Sequence, residues 1–173
     1  MNNSASQYLF GKERKRTLML GLENSGKTTI LNQLKLGEVI ISIPSIDFNM
    51  EIMKYKTNTI ISWDLRGKEN SRALWRPYFR NTTYLIFVID SSDHEHIYVA
   101  RDELHQLLSE SELADVHLLI YANKKDLTNA MRIDEITDKL DLNSLKNRQW
   151  RVENTCGKTG HGLFEGLEWL TKH

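Results

Sequence analysis

Three runs of mainly apolar residues lie along the chain, at residues 17–20, 84–89 and 116–121. Apolar runs of this length are typical of strands that a parallel sheet buries on both faces. Residues 46–52 instead alternate between apolar and polar side chains, which is typical of a half-exposed strand. A short polar turn separates them from a further strand candidate at residues 59–63, so these two segments are predicted to form a hairpin.

Between the strand candidates, apolar residues recur at helical spacing, which predicts amphipathic helices. The clearest sets are Ile97, Ala100, Leu104, Leu107 and Leu108; Ile133, Ile136 and Leu140; and Leu163, Leu167 and Leu170. Alternation of strands and helices, with one hairpin, predicts a mostly parallel α/β sheet with one antiparallel edge. Ligands of such sheets bind beyond the carboxyl ends of the strands.

The composition narrows the class of protein. The 173 residues fit one domain, and 23 Lys and Arg balance 23 Asp and Glu, which disfavours an obligate nucleic-acid binder. The single cysteine excludes an intramolecular disulfide framework and suits a reducing cytosol. Residues 1–16 are polar and then basic, and are predicted to be an arm, either a loosely attached tail or a short amphipathic segment on a surface.

Residues 21–28 match the phosphate-loop pattern G-x-x-x-x-G-K-[ST] in full, directly after a strand candidate and before a helix. Successive backbone N–H groups in such a loop surround phosphate oxygens, and the helix N-terminus adds partial positive charge. Lys27 is expected to reach the outer phosphate oxygens and Thr28 to bind Mg²⁺. A tight glycine-rich turn without a ligand is the alternative. The residues expected to contact nucleotide are Glu23, Asn24, Ser25, Gly26, Lys27, Thr28 and Thr29.

Asn123, Lys124, Lys125 and Asp126 form an N-K-x-D tetrapeptide after the third buried strand. The Asp126 carboxylate can accept hydrogen bonds from two donors on one edge of guanine, which adenine lacks. Asn123 is expected to fix the loop and the base edge, and the stem of Lys124 to cover one face of the base. Alone, the tetrapeptide fits an ordinary solvated loop equally well, but its order after a phosphate loop favours a guanine nucleotide.

Two further segments fit the same site. Residues 155–158 follow a strand candidate near residues 150–152, and backbone N–H groups at Cys156 and Gly157 are expected to address the guanine carbonyl oxygen, with an ordinary turn as the alternative. The terminal phosphate and Mg²⁺ would be contacted by residues around the predicted hairpin. Asp64 and the Ser45 hydroxyl are the candidate metal ligands, and the Gly67 N–H the candidate phosphate contact.

Together these motifs resemble the ADP-ribosylation factor (Arf and Arf-like) family of small GTPases, from about residue 17 to the end. The matching stretches are GLENSGKTTILNQLKLGE, IPSIDFN, WDLRGKE, LWRPYF, LIFVIDSSD, ANKKDL, EITDKL, NTCGKTG and GLFEGLEWL. The resemblance implies a Ras-like P-loop GTPase fold: a mostly parallel six-stranded sheet with one antiparallel edge strand and helices on both faces. The arm would span residues 1–16 and the small GTPase domain residues 17–173.

The resemblance also implies bound GTP or GDP with Mg²⁺, two switch segments at about residues 37–48 and 64–78, and three kinds of partner protein. These partners are a guanine-nucleotide exchange factor, a GTPase-activating protein and effectors. Phe48, Trp63 and Tyr78 match the exposed aromatic triad with which the family contacts effectors, and packing in the hairpin core is the alternative.

The chain departs from the family pattern at functional positions. Asn2 stands where most Arf proteins have a myristoylated glycine, so no N-myristoyl group and weak or no membrane contact are expected. Ser45 replaces threonine and keeps the hydroxyl. Asp47 and Arg66 replace switch glycines, which would strain one switch state if those positions need positive φ. Lys68 replaces the glutamine that orients the attacking water, and an ammonium offers no acceptor.

The sequence therefore predicts a Mg²⁺-dependent GTP/GDP switch that recruits effectors in vesicle trafficking, with slow or impaired hydrolysis. Lys27, Gly67 and Lys68 are its catalytic candidates. A non-hydrolysing or nucleotide-locked pseudo-GTPase that acts as a protein-binding module remains the alternative. An ATP-dependent P-loop kinase is disfavoured because N-K-x-D selects guanine. We expect a monomer in the cytoplasm, with peripheral attachment to endomembranes such as the Golgi as a further alternative.

Overall fold

The computed structural model describes residues 15–34, 40–43, 50–55, 58–63 and 72–172, with the side chains of residues 40–43, 55 and 72–75 excepted. Its strands form one seven-stranded sheet in the order β2-β3-β4-β1-β5-β6-β7. The strands are β1 (Lys15–Leu20), β2 (Ile40–Ile43), β3 (Met50–Tyr55), β4 (Asn58–Trp63), β5 (Tyr84–Asp90), β6 (His117–Asn123) and β7 (Trp150–Asn154). Neighbouring strands pair in parallel except at β2–β3 and β3–β4.

This architecture confirms the predicted Ras-like α/β class, with a mostly parallel sheet and one antiparallel strand. The number of strands and the position of the antiparallel one differ from the prediction, which had six strands and an antiparallel edge. The short strand β2 pairs outside β3, so β3 is second from the edge. Four residues interrupted by Ser42 are too short to show a strand period in the sequence, and only their pairing with β3 identifies them.

Five α-helices are described: α1 (Lys27–Leu34), α2 (Arg72–Phe79), α3 (Ile97–Leu108), α4 (Ile133–Lys139) and α5 (Leu163–Lys172). Side chains of β1 alternate between the two faces of the sheet, as expected for a strand. Leu18 and Leu20 pack with α3 and α4, whereas Met19 packs with α1 and α5. The core therefore has two layers, and the predicted helices on both faces are confirmed. No helix within the described ranges is long and apolar enough to cross a membrane.

Three local expectations need correction. Strand β1 begins at Lys15, so residues 15 and 16 belong to the sheet rather than to the arm. Met53 of β3 is buried on the face opposite Ile52, so the described part of this strand packs on both faces. Ile133 is 38% exposed although it shares the helical spacing of buried Ile136, because only the later turn of α4 packs on the core. Residues 46–49 of the predicted alternating strand lie outside the described residues.

The sheet brings the candidate site together at one edge. Parallel strands end at a common edge, so the loops after β1, β5, β6 and β7 lie side by side. Asp90 at the end of β5 is paired with Asn123 at the end of β6, and Ala122 is paired with Asn154 of β7. The phosphate loop, the N-K-x-D loop and the loop at residues 155–158 thus meet beyond the carboxyl ends of the parallel strands, as predicted for ligand sites of such sheets.

Candidate functional site

The phosphate loop connects the end of β1 at Leu20 with the start of α1 at Lys27. Gly26 has a φ of +97°, and a Cβ at this position would lie 2.3 Å from Nδ2 of Asn123. Glycine is therefore required here both for its backbone conformation and for the close approach of Asn123. The first N–H groups of α1 have no carbonyl partner within the helix, so they can receive the oxygens of an anion.

The side chain of Lys27 lies inside this loop. It is 4% exposed, and its ammonium donates hydrogen bonds to the carbonyl oxygens of Gly21 (3.0 Å) and Leu22 (2.7 Å) and to Oγ of Ser25 (3.1 Å). A buried cation is thus held among the backbone groups that surround phosphate in loops of this type. The charge and the N–H groups of the loop fit an oligophosphate.

Thr28, the predicted metal ligand, makes a contact that no sequence pattern indicated. Its hydroxyl donates a hydrogen bond to Oε2 of Glu51 on β3, with 3.0 Å between the oxygens. A hydroxyl that donates its proton keeps two lone pairs, so Thr28 can still bind a cation, and the Glu51 carboxylate adds negative charge nearby. The alternation along β3 identified Glu51 as outward-facing but gave no indication of its partner.

Asn123 joins the three loops. It is 2% exposed, and its Nδ2 donates a hydrogen bond to the carbonyl oxygen of Ser25 in the phosphate loop at 2.9 Å. Its Oδ1 accepts a hydrogen bond from the Gly157 N–H at 2.9 Å and a longer one from the Thr155 hydroxyl at 3.5 Å. A buried amide with both ends satisfied fixes the relative positions of the three loops.

A pocket lies between these loops, and its lining agrees with the predicted base site. Asp126 is exposed at this pocket, so its carboxylate is available to a ligand. Leu127, which was not among the predicted site residues, is 40% exposed and offers apolar surface for a ring. The lining residues are Gly26, Thr29, Asn123, Lys124, Asp126, Leu127, Gly157 and Lys158.

In the loop at residues 155–158, the backbone N–H groups of Cys156 and Gly157 have partners within the protein. The Cys156 N–H donates to the carbonyl oxygen of His161 at 3.1 Å, and the Gly157 N–H donates to Asn123. Both N–H groups that were expected to address the guanine carbonyl oxygen are therefore used within the protein. Cys156 is 5% exposed and packs as a small core residue, whereas Gly157 lines the pocket because it carries no side chain.

Three aromatic residues were predicted either to contact effectors or to pack in the hairpin core, and the two that the structure describes differ in burial. Trp63 is 2% exposed, with its ring centroid 5.7 Å from that of Tyr78 and 6.5 Å from that of Phe79. Burial of Trp63 agrees with the packing alternative, whereas Tyr78 is half-buried at the rim of this cluster. Phe48, the third member, lies outside the described residues.

Several other predicted site residues also lie outside the described residues: Ser45, Asp47, Asp64, Arg66, Gly67, Lys68 and Asn2. The predicted Mg²⁺ site is thus represented by Thr28 alone. In the part of the chain that the structure describes, no three His, Cys, Asp or Glu side chains gather as a metal-binding group. The roles of the seven residues stay predictions.

The parallel sheet, the phosphate loop and the N-K-x-D loop beside it define a protein of the P-loop nucleotide-binding class. The sequence model of the ADP-ribosylation factor family matches residues 2–173, and the chain belongs to this family of small GTPases. It is similar to the solved structure of the Arl6 BBS3 small GTPase from Trypanosoma brucei, which holds the nucleotide analogue GppNp. The two share 32% sequence identity and a TM-score of 0.76, over 92% of this chain and 96% of that chain.

Proposed function

We propose that this protein is a Mg²⁺-dependent molecular switch that binds GDP and GTP and recruits effector proteins. The observation that carries the proposal is the position of Asn123, whose amide joins the phosphate loop to the two loops that line the base pocket. A single ligand with phosphates at one end and a base at the other fits that arrangement. The exposed Asp126 carboxylate at the pocket selects guanine, because adenine offers no matching pair of donors.

In the proposed reaction, a water molecule attacks the γ-phosphate of GTP in line with the bond to the leaving GDP. The ammonium of Lys27 and the backbone N–H groups of the phosphate loop meet the charge that develops on the phosphate oxygens. Thr28, with Ser45 and Asp64, would hold Mg²⁺, and Gly67 would contact the γ-phosphate. Mg²⁺, when bound, supplies further positive charge to the same oxygens.

We propose that hydrolysis is slow because Lys68 occupies the position of the water-orienting glutamine. Lys68→Gln should raise the single-turnover rate of GTP hydrolysis about tenfold or more in the presence of a GTPase-activating protein. Lys172→Gln, an exposed lysine paired with Glu168 at the far end of α5, is the matched control and should leave the rate unchanged. An unchanged rate in Lys68→Gln, or a wild-type rate equal to that of an Arf protein with glutamine, contradicts this assignment.

The substitutions Asp47, Arg66 and Lys68 support a second candidate, a pseudo-GTPase that binds partners without a hydrolytic cycle. The nucleotide retained after purification separates the two. Retained GDP supports a cycling switch or a GDP-locked form, retained GTP supports a hydrolysis-dead form, and retention of neither supports a pseudo-GTPase. A retained GDP that exchanges for GTP and is regenerated by hydrolysis identifies the cycling switch.

The remaining parts of the proposal concern partners and location. An exchange factor, a GTPase-activating protein and effectors would act on the switch segments, and Phe48, Trp63 and Tyr78 would contact effectors in a state that exposes Trp63. We place the protein in vesicle trafficking as a cytoplasmic monomer, with peripheral attachment to endomembranes such as the Golgi as the alternative. Fractionation of cells with and without a non-hydrolysable GTP analogue tests the location, because a switch should move between the two fractions.

A further inference from the structure

Asp90 lies beside the base pocket, although it was not among the predicted site residues. It ends β5 directly opposite Asn123 of β6. Its Oδ2 accepts a hydrogen bond from the ammonium of Lys124 at 2.6 Å. The Asp90 side chain is 19% exposed and the Lys124 side chain is 33% exposed. Its Oδ1 accepts hydrogen bonds from the Ser92 N–H at 2.9 Å and the Ser92 hydroxyl at 2.6 Å. Both carboxylate oxygens are therefore held, and the carboxylate has a defined orientation.

The partner of Asp90 is held at its backbone as well. Lys124 has a φ of +65°, a left-handed conformation that non-glycine residues rarely adopt and that the surrounding structure must enforce. Its carbonyl oxygen accepts the Leu127 N–H at 3.0 Å, and the next N–H, of Lys125, donates to the Thr155 carbonyl oxygen at 3.0 Å. Lys124 lines the base pocket and is thus held at both ends, at its backbone and at its ammonium on Asp90.

We propose that Asp90 is a positioning residue of the guanine site and acts through Lys124. This inference rests on the proposed function, because it assigns Asp90 to the guanine nucleotide site. Lysine stems have several rotatable bonds, and ordering one on ligand binding reduces affinity. The ion pair orders the stem before the nucleotide arrives, so the base stacks against a preformed apolar wall.

Among the described residues, two other acids line the adjoining cleft, and neither is paired with Lys124. Asp93 and Glu23 line that cleft together with Asp90. The Asp93 carboxylate already binds the imidazole of His96 at 2.8 Å and the backbone N–H groups of Glu95 and His96. Glu23 is exposed on the phosphate loop. Removal of the Asp90 charge should therefore leave the ammonium of Lys124 free to move into solvent.

The test measures the dissociation rate of GDP carrying a fluorescent ribose label from the full chain in Mg²⁺ buffer. Asp90→Asn should raise this rate about tenfold, since it removes a charge-assisted bond but keeps the shape of the side chain. Lys124→Met keeps the stem without the ammonium and should raise the rate by a similar factor. The double variant should be no faster than either single variant, because both break the same bond. Asp102→Asn, which removes an exposed pair with Arg101, is the matched control.

Three results overturn the inference. An Asp90→Asn rate within twofold of wild type shows that the ion pair does not order the site. Multiplication of the two effects in the double variant shows that Asp90 does not act through Lys124. A changed ratio of GDP to inosine diphosphate affinity shows that Asp90 acts on Asp126, which reads the 2-amino group.

If Asp90→Asn does not fold, the same dissociation rate is measured for Ser92→Ala instead. It removes one hydrogen bond to Oδ1 and should raise the rate about two- to threefold, and an unchanged rate overturns the inference. Failure of the proposed function gives a distinct result, since the wild-type chain would then not retain labelled GDP at all, and the inference would fall with it.

Discussion

The base end of the candidate site, at the N-K-x-D loop (residues 123–126), is constructed differently from its phosphate end, at the phosphate loop (residues 21–28). At the base end, buried Asn123 bonds to both neighbouring loops, and Lys124 is held by its backbone and by Asp90. At the phosphate end, Thr28 is exposed and makes its side-chain bond to Glu51 on β3. Lys27 bonds to groups of its own loop. The base end therefore depends on contacts between loops, whereas the functional side chains of the phosphate end depend on exposed or local ones.

From this difference we expect nucleotide affinity to depend mainly on the base end and switching to depend mainly on the phosphate end. Buried, fully satisfied polar contacts stabilise one arrangement, so the base end should be similar whichever nucleotide is bound. The exposed contact of Thr28 with Glu51 on β3 contributes little stability and breaks readily, so this part of the phosphate end should respond to the γ-phosphate and to Mg²⁺. Variants of the base end should therefore change the affinity for GDP and GTP alike, and variants of the phosphate end should change metal dependence.

The largest effect is expected where the two ends meet. Gly26→Ala places a Cβ 2.3 Å from Nδ2 of Asn123 and forces a side chain onto a φ of +97°. We expect affinity for GDP to fall at least about 100-fold, measured by calorimetry. Gly160→Ala is the matched control, because Gly160 also has positive φ (+83°) but its Cβ would meet only the flexible side chain of Gln33. It should lower stability and change affinity less than about threefold; equal losses in the two variants would remove Asn123 from the explanation.

The next largest effect is expected at Asn123, where a variant tests whether the base end contributes to the binding of both nucleotides. Asn123→Asp keeps the size of the side chain but turns an oxygen toward the carbonyl oxygen of Ser25, where Nδ2 now donates. Loss of a buried hydrogen bond, with two acceptors left facing each other, should weaken GDP and GTP binding about 10- to 50-fold. Asn129→Asp, which alters an exposed bond to the Ser92 carbonyl oxygen, is the control. Weaker binding of GTP with unchanged binding of GDP would contradict the division between the two ends.

A smaller effect is expected at the phosphate end. Glu51→Gln removes the negative charge beside Thr28 but keeps an oxygen that can accept a hydrogen bond from the Thr28 hydroxyl. The quantity measured is the Mg²⁺ concentration that gives half of the maximal slowing of GDP release. It should rise about two- to fivefold in this variant, because a nearby carboxylate favours binding of a cation. Glu153→Gln on β7, an acid paired with Arg151, controls for the change in net charge. A lower Mg²⁺ requirement in Glu51→Gln would show that the carboxylate competes with the metal for Thr28.

The smallest effect concerns the loop next to the base end. Burial opposes ionisation of Asp93, but hydrogen bonds from His96 and from the Glu95 N–H outweigh it and lower the pKa of Asp93. A lowered folded-state pKa stabilises the protein above the unfolded value of about 4 and loses this contribution as the pH falls through the folded value. Asp93→Asn should lower the Tm by about 1–2 °C at neutral pH, and by less as the pH falls below about 4. A difference that grows on acidification would contradict this sign.

The sequence predicted the parts of the fold whose signal is local. The double burial of β1, β5 and β6 appeared as apolar runs, and α3 and α5 appeared as helical spacing of Leu and Ile. The phosphate loop and the N-K-x-D loop were identified because their chemistry needs fixed spacings. Strand β2 was missed because it exists only through its pairing with β3, and exposure of Trp63 could not be assigned because burial depends on the neighbouring helix.

The contacts of the site that could not be predicted from the sequence depend on how strands and helices are placed beside one another. Asp90 meets Lys124 because β5 and β6 pair with Asp90 opposite Asn123, and Glu51 meets Thr28 across the space between β3 and α1. Asp90 and Lys124 are 34 positions apart in the sequence, and Thr28 and Glu51 are 23 positions apart. No local pattern links residues at such separations. The position of Asp90 at the carboxyl end of a buried strand was a usable signal, since such ends bind ligands. The Gly157 N–H finds its partner 34 residues away in the sequence, and the Cys156 N–H bonds to the nearby His161 carbonyl oxygen through an isolated bridge that has no sequence pattern.

Guanine selectivity tests the central claim most directly. Labelled GDP bound to the full chain in Mg²⁺ buffer is displaced with unlabelled GDP, inosine diphosphate and ADP, and the concentrations needed are compared. A carboxylate at Asp126 that accepts two guanine donors predicts that ADP requires at least about 100-fold more than GDP, with inosine diphosphate between them. Asp126→Asn should reduce that preference. Displacement by ADP and GDP at equal concentrations would contradict the assignment of this site to a guanine nucleotide.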